Sequence, residues 1–168
     1  MLILGDVFAV IATLVGIFLT ATAAMLTHGL LFPERVSLAS EGLRANPWRR
    51  GLLGIGAGVP AVLFGIIVAS LPVPLLKAVG ILFLLFVMML SLLGASGIAW
   101  LMAARWRTWD PNVSPLTAYS RSAMLLVGAC LLPFVGWFLI APLVLIIGIG
   151  LGTSALMNRR EQTEATQA

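Results

Sequence analysis

Ser122–Met157 reads SAMLLVGACLLPFVGWFLIAPLVLIIGIGLGTSALM, thirty-six residues without one charge. How this stretch divides decides the fold. As a single helix, at about 1.5 Å per residue, it would run to roughly 54 Å. That is well past the ~30 Å hydrocarbon core of a bilayer, even with generous tilt. The stretch carries its own break. Pro133-Phe134-Val135-Gly136-Trp137 combines a helix breaker, a flexible residue and an aromatic that favours a membrane interface. Upstream, Ser114-Pro115 forms an N-cap followed by a first-turn proline. The sequence therefore predicts one helix from about Pro115 to Pro133 and a second from Trp137 to Met157. These are either two further spans or a re-entrant hairpin, and two spans is the preferred reading.

Working outward, three more apolar stretches precede this one: Val7 to about Phe32, Gly51 to about Ser70, and Val79 to Ala104. Across 168 residues, 61% are hydrophobic and 10% charged. A soluble domain runs nearer half apolar and a quarter charged. The excess does not fit inside one water-facing core of this size, which argues against a soluble enzyme, a disordered chain and a disulfide scaffold. Cys130 is the sole cysteine, so no internal disulfide forms, and its apolar neighbours give it a packing or lipid-facing role. No Lys or Arg precedes the first stretch, which is also too long for a signal h-region and is read as a retained helix. The fold expected is all-α: a polytopic transmembrane helical bundle with five hydrophobic segments, the last two a helical hairpin. It forms a single domain over residues 1–157, followed by a disordered cytoplasmic tail over 158–168.

The charges give the orientation. With five spans, one side carries Arg35, Arg44, Arg49, Arg50, Arg105, Arg107, Arg121, Arg159 and Arg160, and the other carries Lys77. With four simple spans the split is seven against three. The positive-inside rule favours nine against one, with the N-terminus outside and the C-terminus in the cytoplasm of an inner (plasma) membrane. The basic residues flank apolar runs, so the partner they imply is a bilayer with anionic headgroups at the cytoplasmic face, and no nucleic acid. Trp48, Trp106 and Trp109 sit beside the arginines, and the interfacial set expected is Trp48, Arg49, Arg50, Arg105, Trp106, Arg107, Trp109, Arg159 and Arg160. Between the first two spans, Pro33 and Glu34 start a short interfacial helix that Asn46-Pro47 ends. Val36, Ala39 and Leu43 fall on one face of it, and Ser37, Ser40, Glu41 and Arg44 on the other.

Small residues recur every fourth position. Lipid offers no hydrophobic drive between helices, so close backbone approach and dispersion must supply association. The helix-packing residues expected are Gly16, Thr20 and Ala24 in the first span, and Gly54, Gly58, Ala61 and Gly65 in the second. Ala95 and Ala99 serve the third span, and Gly148 and Gly152 the last. They serve packing within the bundle or a homo-oligomer or membrane-protein interface.

Signals for chemistry are sparse. No Asp, Glu, Lys or Arg lies in the middle of a span, which argues against a pump or ion-coupled carrier. No set of residues has metal-ligand spacing, no phosphate loop is present, and no cofactor is implied. Gly94-Ala95-Ser96-Gly97 resembles the G-x-S-G nucleophile motif of rhomboid intramembrane serine proteases. A serine there needs a base within hydrogen-bond reach. The single histidine, His28, precedes the serine, whereas in rhomboids it follows. No catalytic residue is therefore assigned. The reading is a non-enzymatic accessory or scaffold protein acting through helix contacts. A passive channel or small transporter is the alternative, and a protease using Ser96 is a remote one.

Two segments carry a resemblance. One is Leu31-Phe32-Pro33-Glu34-Arg35-Val36 with Leu43-Arg44-Ala45-Asn46-Pro47-Trp48-Arg49-Arg50. The other is Leu132-Pro133-Phe134-Val135-Gly136-Trp137 leading to Gly148-Ile149-Gly150-Leu151-Gly152. Together they resemble an uncharacterised family of small bacterial inner-membrane proteins, similar to the membrane unit at the C-terminus of some bactofilin-like polymer-forming proteins. The resemblance covers roughly Leu31 to Leu156. It implies a bacterial inner-membrane location and a scaffold or accessory role. The β-repeat portion of bactofilins is missing here, so polymer formation does not carry over.

Overall fold

The structure, a computed structural model, describes residues 2–45 and 47–153. All regular structure among them is helical. Helix α1 is Leu2–Leu31 and α2 is Pro33–Ala45. Helix α3 is one rod in three parts: Pro47–Leu53, a π-helical segment Gly54–Gly58, and Val59–Ser70. Helix α4 is Pro74–Trp109, and α5 is Pro115–Leu131. Helix α6 is Gly136–Thr153, opening with a π-helical segment Gly136–Ile140. The expected disordered tail and residues Arg159 and Arg160 lie outside the described residues.

The boundaries have local causes. Ser114 caps α5: its Oγ accepts from the Thr117 N–H at 3.2 Å, and Pro115 follows at the first turn. Pro133 supplies no N–H to continue α5, and the chain turns through Phe134 at a φ of 66°, uncommon for a residue with a side chain. Helix α4 runs five residues beyond each end of the apolar stretch, because Pro74 begins it and only Asp110 stops it. The two π-helical segments share a pattern. GIGAGVP (Gly54–Pro60) and GWFLIAP (Gly136–Pro142) each place a glycine at the start and a proline six positions on. A proline inside a helix removes one ladder hydrogen bond and presses on the carbonyl four residues back, and a wider turn before it relieves that pressure.

Among the described residues, four helices are long and apolar enough to cross a membrane: Gly5–Leu31, Gly51–Ser70, Pro74–Trp109 and Gly136–Thr153. At 17 residues, α5 falls just under one span's length. Small residues predominate inside and large ones outside. Ala99, Ala118 and Ala123 are fully buried, while Phe8 is 68% exposed, Leu75 74% and Phe138 79%. A water-soluble core has the opposite distribution. Lipid tails solvate Leu and Phe as well as a protein interior does, so only close packing is gained by turning small residues inward.

Helix α4 is the central post. Gly80 meets Ala69 and Gly65 meets Leu84, which sets α3 antiparallel to it. Helix α1 joins through Met25, whose carbonyl lies within 3.5 Å of Ser96 Oγ. Helix α5 runs antiparallel to α1, with Tyr119 on Gly29 and Gly128 near Phe18. The main core, from Met25 and Ala95 to Tyr119 and Leu126, lies between α1, α4 and α5. A smaller core of Ala39, Leu93 and Leu151 ties α2 and α6 to α4. Helix α2 is docked more deeply than its sequence suggests. Ser40 is buried beside Val36 and Ala39, its hydroxyl turned back to the Ser37 carbonyl at 2.7 Å, because Gly97 lets the α2 backbone come close.

Helix α6 packs on a short stretch of α4. Its residues 145, 148 and 152 span about 10 Å of axis. Their partners on α4 stay within Leu90–Gly94: Leu145 carbonyl to Ser91 Oγ at 3.3 Å, Gly148 against Ser91 and Gly94, and Gly152 against Leu90.

Candidate functional site

The small-residue stripes divide into those that are covered and one that is open. On α3, Gly54 lies against the Ile146 carbonyl, Gly58 against Ile149, and Gly65 against Leu84 and Phe83, while Ala61 is half-buried. Ala95 and Ala99 of α4 are in the main core. Gly148 and Gly152 of α6 press directly on α4 backbone. A side chain at Gly54, Gly94 or Gly152 would collide with a backbone carbonyl. The stripe on α1 differs. Ala12, Gly16 and Thr20 are exposed, Ala24 is half-buried, and a Cβ at Gly16 would meet nothing within 4 Å.

Several hydroxyls of the bundle are turned to its own backbone. Ser91 donates to the Leu145 carbonyl, Ser122 to Ala118 at 2.9 Å, Thr27 to Ala23 at 2.8 Å and Ser70 to Ile66 at 2.7 Å. Ser96, fully buried, donates to the Leu92 carbonyl at 2.8 Å, with the Met25 carbonyl further off. His28 Nδ1 lies 2.8 Å from the Ala24 carbonyl, which assigns its proton to that nitrogen because a carbonyl only accepts. Its buried Nε2 has no hydrogen-bond partner among the described residues, and neither has Thr22 Oγ1. Ser96 thus bonds backbone carbonyls, not His28, and the G-x-S-G segment serves as a notch. Gly94 receives Gly148, and Gly97 receives Ala39.

The residue that sequence reasoning missed is Tyr119. It is buried, donates to the Met25 carbonyl at 2.6 Å, sits on Gly29 and meets Trp100 edge-on at 5.4 Å between ring centroids. Its signal in the sequence was only that it is the chain's single tyrosine, four residues into an apolar helix.

Apolar grooves lie between the described helices. One, about 410 Å³, lies between α1, α4, α5 and α6, with Met88, Cys130 and Trp137 among its walls. Another, about 450 Å³, lies between the start of α3 (Trp48, Gly51, Leu52, Ile55) and α6 (Leu139, Pro142, Leu143, Ile146, Ile147). Among the expected interfacial residues, Trp48, Arg49, Arg105, Arg107 and Trp109 are exposed and Trp106 is half-buried against Trp109. Arg50 belongs to α3 by its backbone. Among the described residues no group of three or more His, Cys, Asp or Glu is placed to hold a metal ion. Comparison with family models, curated proteins and solved structures gives no match to this chain.

Proposed function

We propose that this chain is a non-enzymatic accessory or scaffold protein of a bacterial inner membrane, working through the outer face of α1. The observation that carries this is the open stripe. Gly54, Gly58 and Gly65 of α3, Ala95 and Ala99 of α4, and Gly148 and Gly152 of α6 are covered inside the bundle, while Ala12, Gly16 and Thr20 face outward with open space at Gly16. Of the four stripes, this is the one where a helix of another membrane protein, or of a second copy, can approach closely. In this reading the hydrophobic segments number five, α5 and α6 forming the hairpin. The arginines face the cytoplasm, the N-terminus is outside, and the resemblance to small bacterial inner-membrane proteins is what supports that location. A passive path gains no support from hydroxyls that already bond carbonyls or from grooves with apolar walls.

The test is disulfide or maleimide crosslinking in native membranes of Gly16→Cys in a Cys130→Ser background. The reading expects a specific adduct, retained at low expression and lost when Ala12 and Thr20 are enlarged to Leu. A lone monomer at every level would refute it. Accessibility labelling of a cysteine at Lys77 from outside the cell checks the orientation.

A further inference from the structure

The two grooves have nearly the same volume and the same apolar walls, but their mouths differ. No basic side chain lines the groove beside Cys130 and Trp137. The groove between α3 and α6 opens at Trp48, which is 85% exposed, and the next residue in the helix is the exposed Arg49. Arg44, also exposed, lies in the last turn of the preceding helix, which abuts the start of α3. Against these stands Glu41, exposed one turn earlier on α2. From the mouth the α3 wall descends through Gly51, Leu52 and Ile55, about 10 Å of helix. There α6 supplies the opposite wall with Leu139, Leu143 and Ile146. The π-helical turns of the two helices border this space, so both walls are wider than ordinary α-helix at this depth.

We propose that this groove holds one acyl chain of an anionic phospholipid, with its phosphate on Arg49 and its glycerol region against the Trp48 indole. The chemistry on each level matches one leaflet of lipid. A guanidinium and an indole N–H sit where phosphate and ester oxygens lie, and apolar walls follow for the length of a chain segment. The proposal rests on the membrane reading above, with the α3 start at the cytoplasmic surface, and adds a defined site of one lipid to it.

The experiment uses the full chain in phosphatidylcholine vesicles doped with brominated-chain phosphatidylglycerol or, separately, brominated-chain phosphatidylcholine. Bromine quenches tryptophan on contact, and the Trp48 share is obtained by difference from Trp48→Phe. Phosphatidylglycerol is expected to occupy the site about fivefold more strongly, the effect of roughly one basic residue near an anionic surface. Arg49→Ala removes that preference. Gly51→Leu fills the groove without backbone collision, since a Cβ at Gly51 meets nothing within 4 Å. It therefore abolishes the lipid retained on the detergent-extracted protein in native mass spectrometry, while the helical circular dichroism is kept. Equal quenching by the two lipids, or a lipid retained by Gly51→Leu, overturns the site. If the wild-type chain is recovered in the aqueous fraction after carbonate extraction, the membrane reading fails, and the site fails with it.

Discussion

Tyr119 offers the sharpest test of how this bundle is held together. Its side chain contributes in two separable ways: a hydrogen bond of 2.6 Å to the Met25 carbonyl, and a ring enclosed by Gly29 and Trp100. Tyr119→Phe removes only the first. The Met25 carbonyl lies inside α1 and keeps its ladder partner, so no acceptor is orphaned. Buried hydrogen bonds within membrane bundles average about 0.6 kcal/mol, so the loss is expected to stay under about 1.5 kcal/mol. Tyr119→Ala also empties the ring's space. Aromatic-to-alanine changes cost about 3–5 kcal/mol in soluble cores, but part of that is transfer out of water. Lipid reverses none of the lost contacts yet removes the transfer part, which leaves roughly 2–3 kcal/mol. The assay is reversible unfolding in mixed micelles by titrated denaturing detergent. The near-ultraviolet circular dichroism of Trp100 reports the Tyr119 contact. If Tyr119→Phe cost as much as Tyr119→Ala, the hydroxyl would be holding the helices together and the enclosed ring would add nothing, the reverse of what the packing here requires.

Other expectations follow from the same geometry. Gly94→Val sets a side chain against the Gly148 carbonyl and is expected to destabilise by about 1–3 kcal/mol or more, whereas Gly16→Val leaves the stability of the isolated chain within about 0.5 kcal/mol. The two variants are compared in the same micelle titration. Gly97→Leu drives α2 off α4 at Ala39, and hydrogen exchange should rise over Pro33–Ala45 and stay unchanged over α5. Fluorophosphonate probes should leave Ser96 unlabelled, and Ser96→Ala should cost only about 0.6 kcal/mol, as its hydroxyl bonds backbone carbonyls. Labelling of Ser96 in the intact protein would reopen the protease reading.

Much of the architecture could be read from residues. A bilayer's thickness converts apolar run length into helices, and Ser114-Pro115 and Pro133 act through local backbone chemistry, so both ends of α5 were foreseeable. The stripes on α3, α4 and α6 showed that close approach was possible, but periodicity alone does not say who approaches. The same spacing at Ala12, Gly16 and Thr20 faces outward, because which face is covered depends on where α5 lands. The depth of α2 was hidden for a similar reason. Its polarity suggests a surface helix, but the missing side chain at Gly97, far along the sequence, admits its Ser40 face. The Tyr119–Gly29 pairing joins residues 90 apart and has no local signature. The π-helical turns did have one, the repeated glycine with a proline six positions later, visible only once both copies are set side by side.

Those turns bear on how this chain tolerates insertions and deletions. A π turn holds one residue more than an α turn, so excising a single residue such as Gly56 would let α3 close into uninterrupted α-helix. The wider turn already absorbs the extra residue's rotation of about 100°, so Trp48 and Gly51 would keep nearly the same facing relative to Gly58 and Gly65. The same excision from an unbroken stretch of α-helix would instead re-aim half the helix by about 100°, and the π turn's tolerance applies equally at Gly136–Ile140, where α6 takes its bearing after the Phe134 corner.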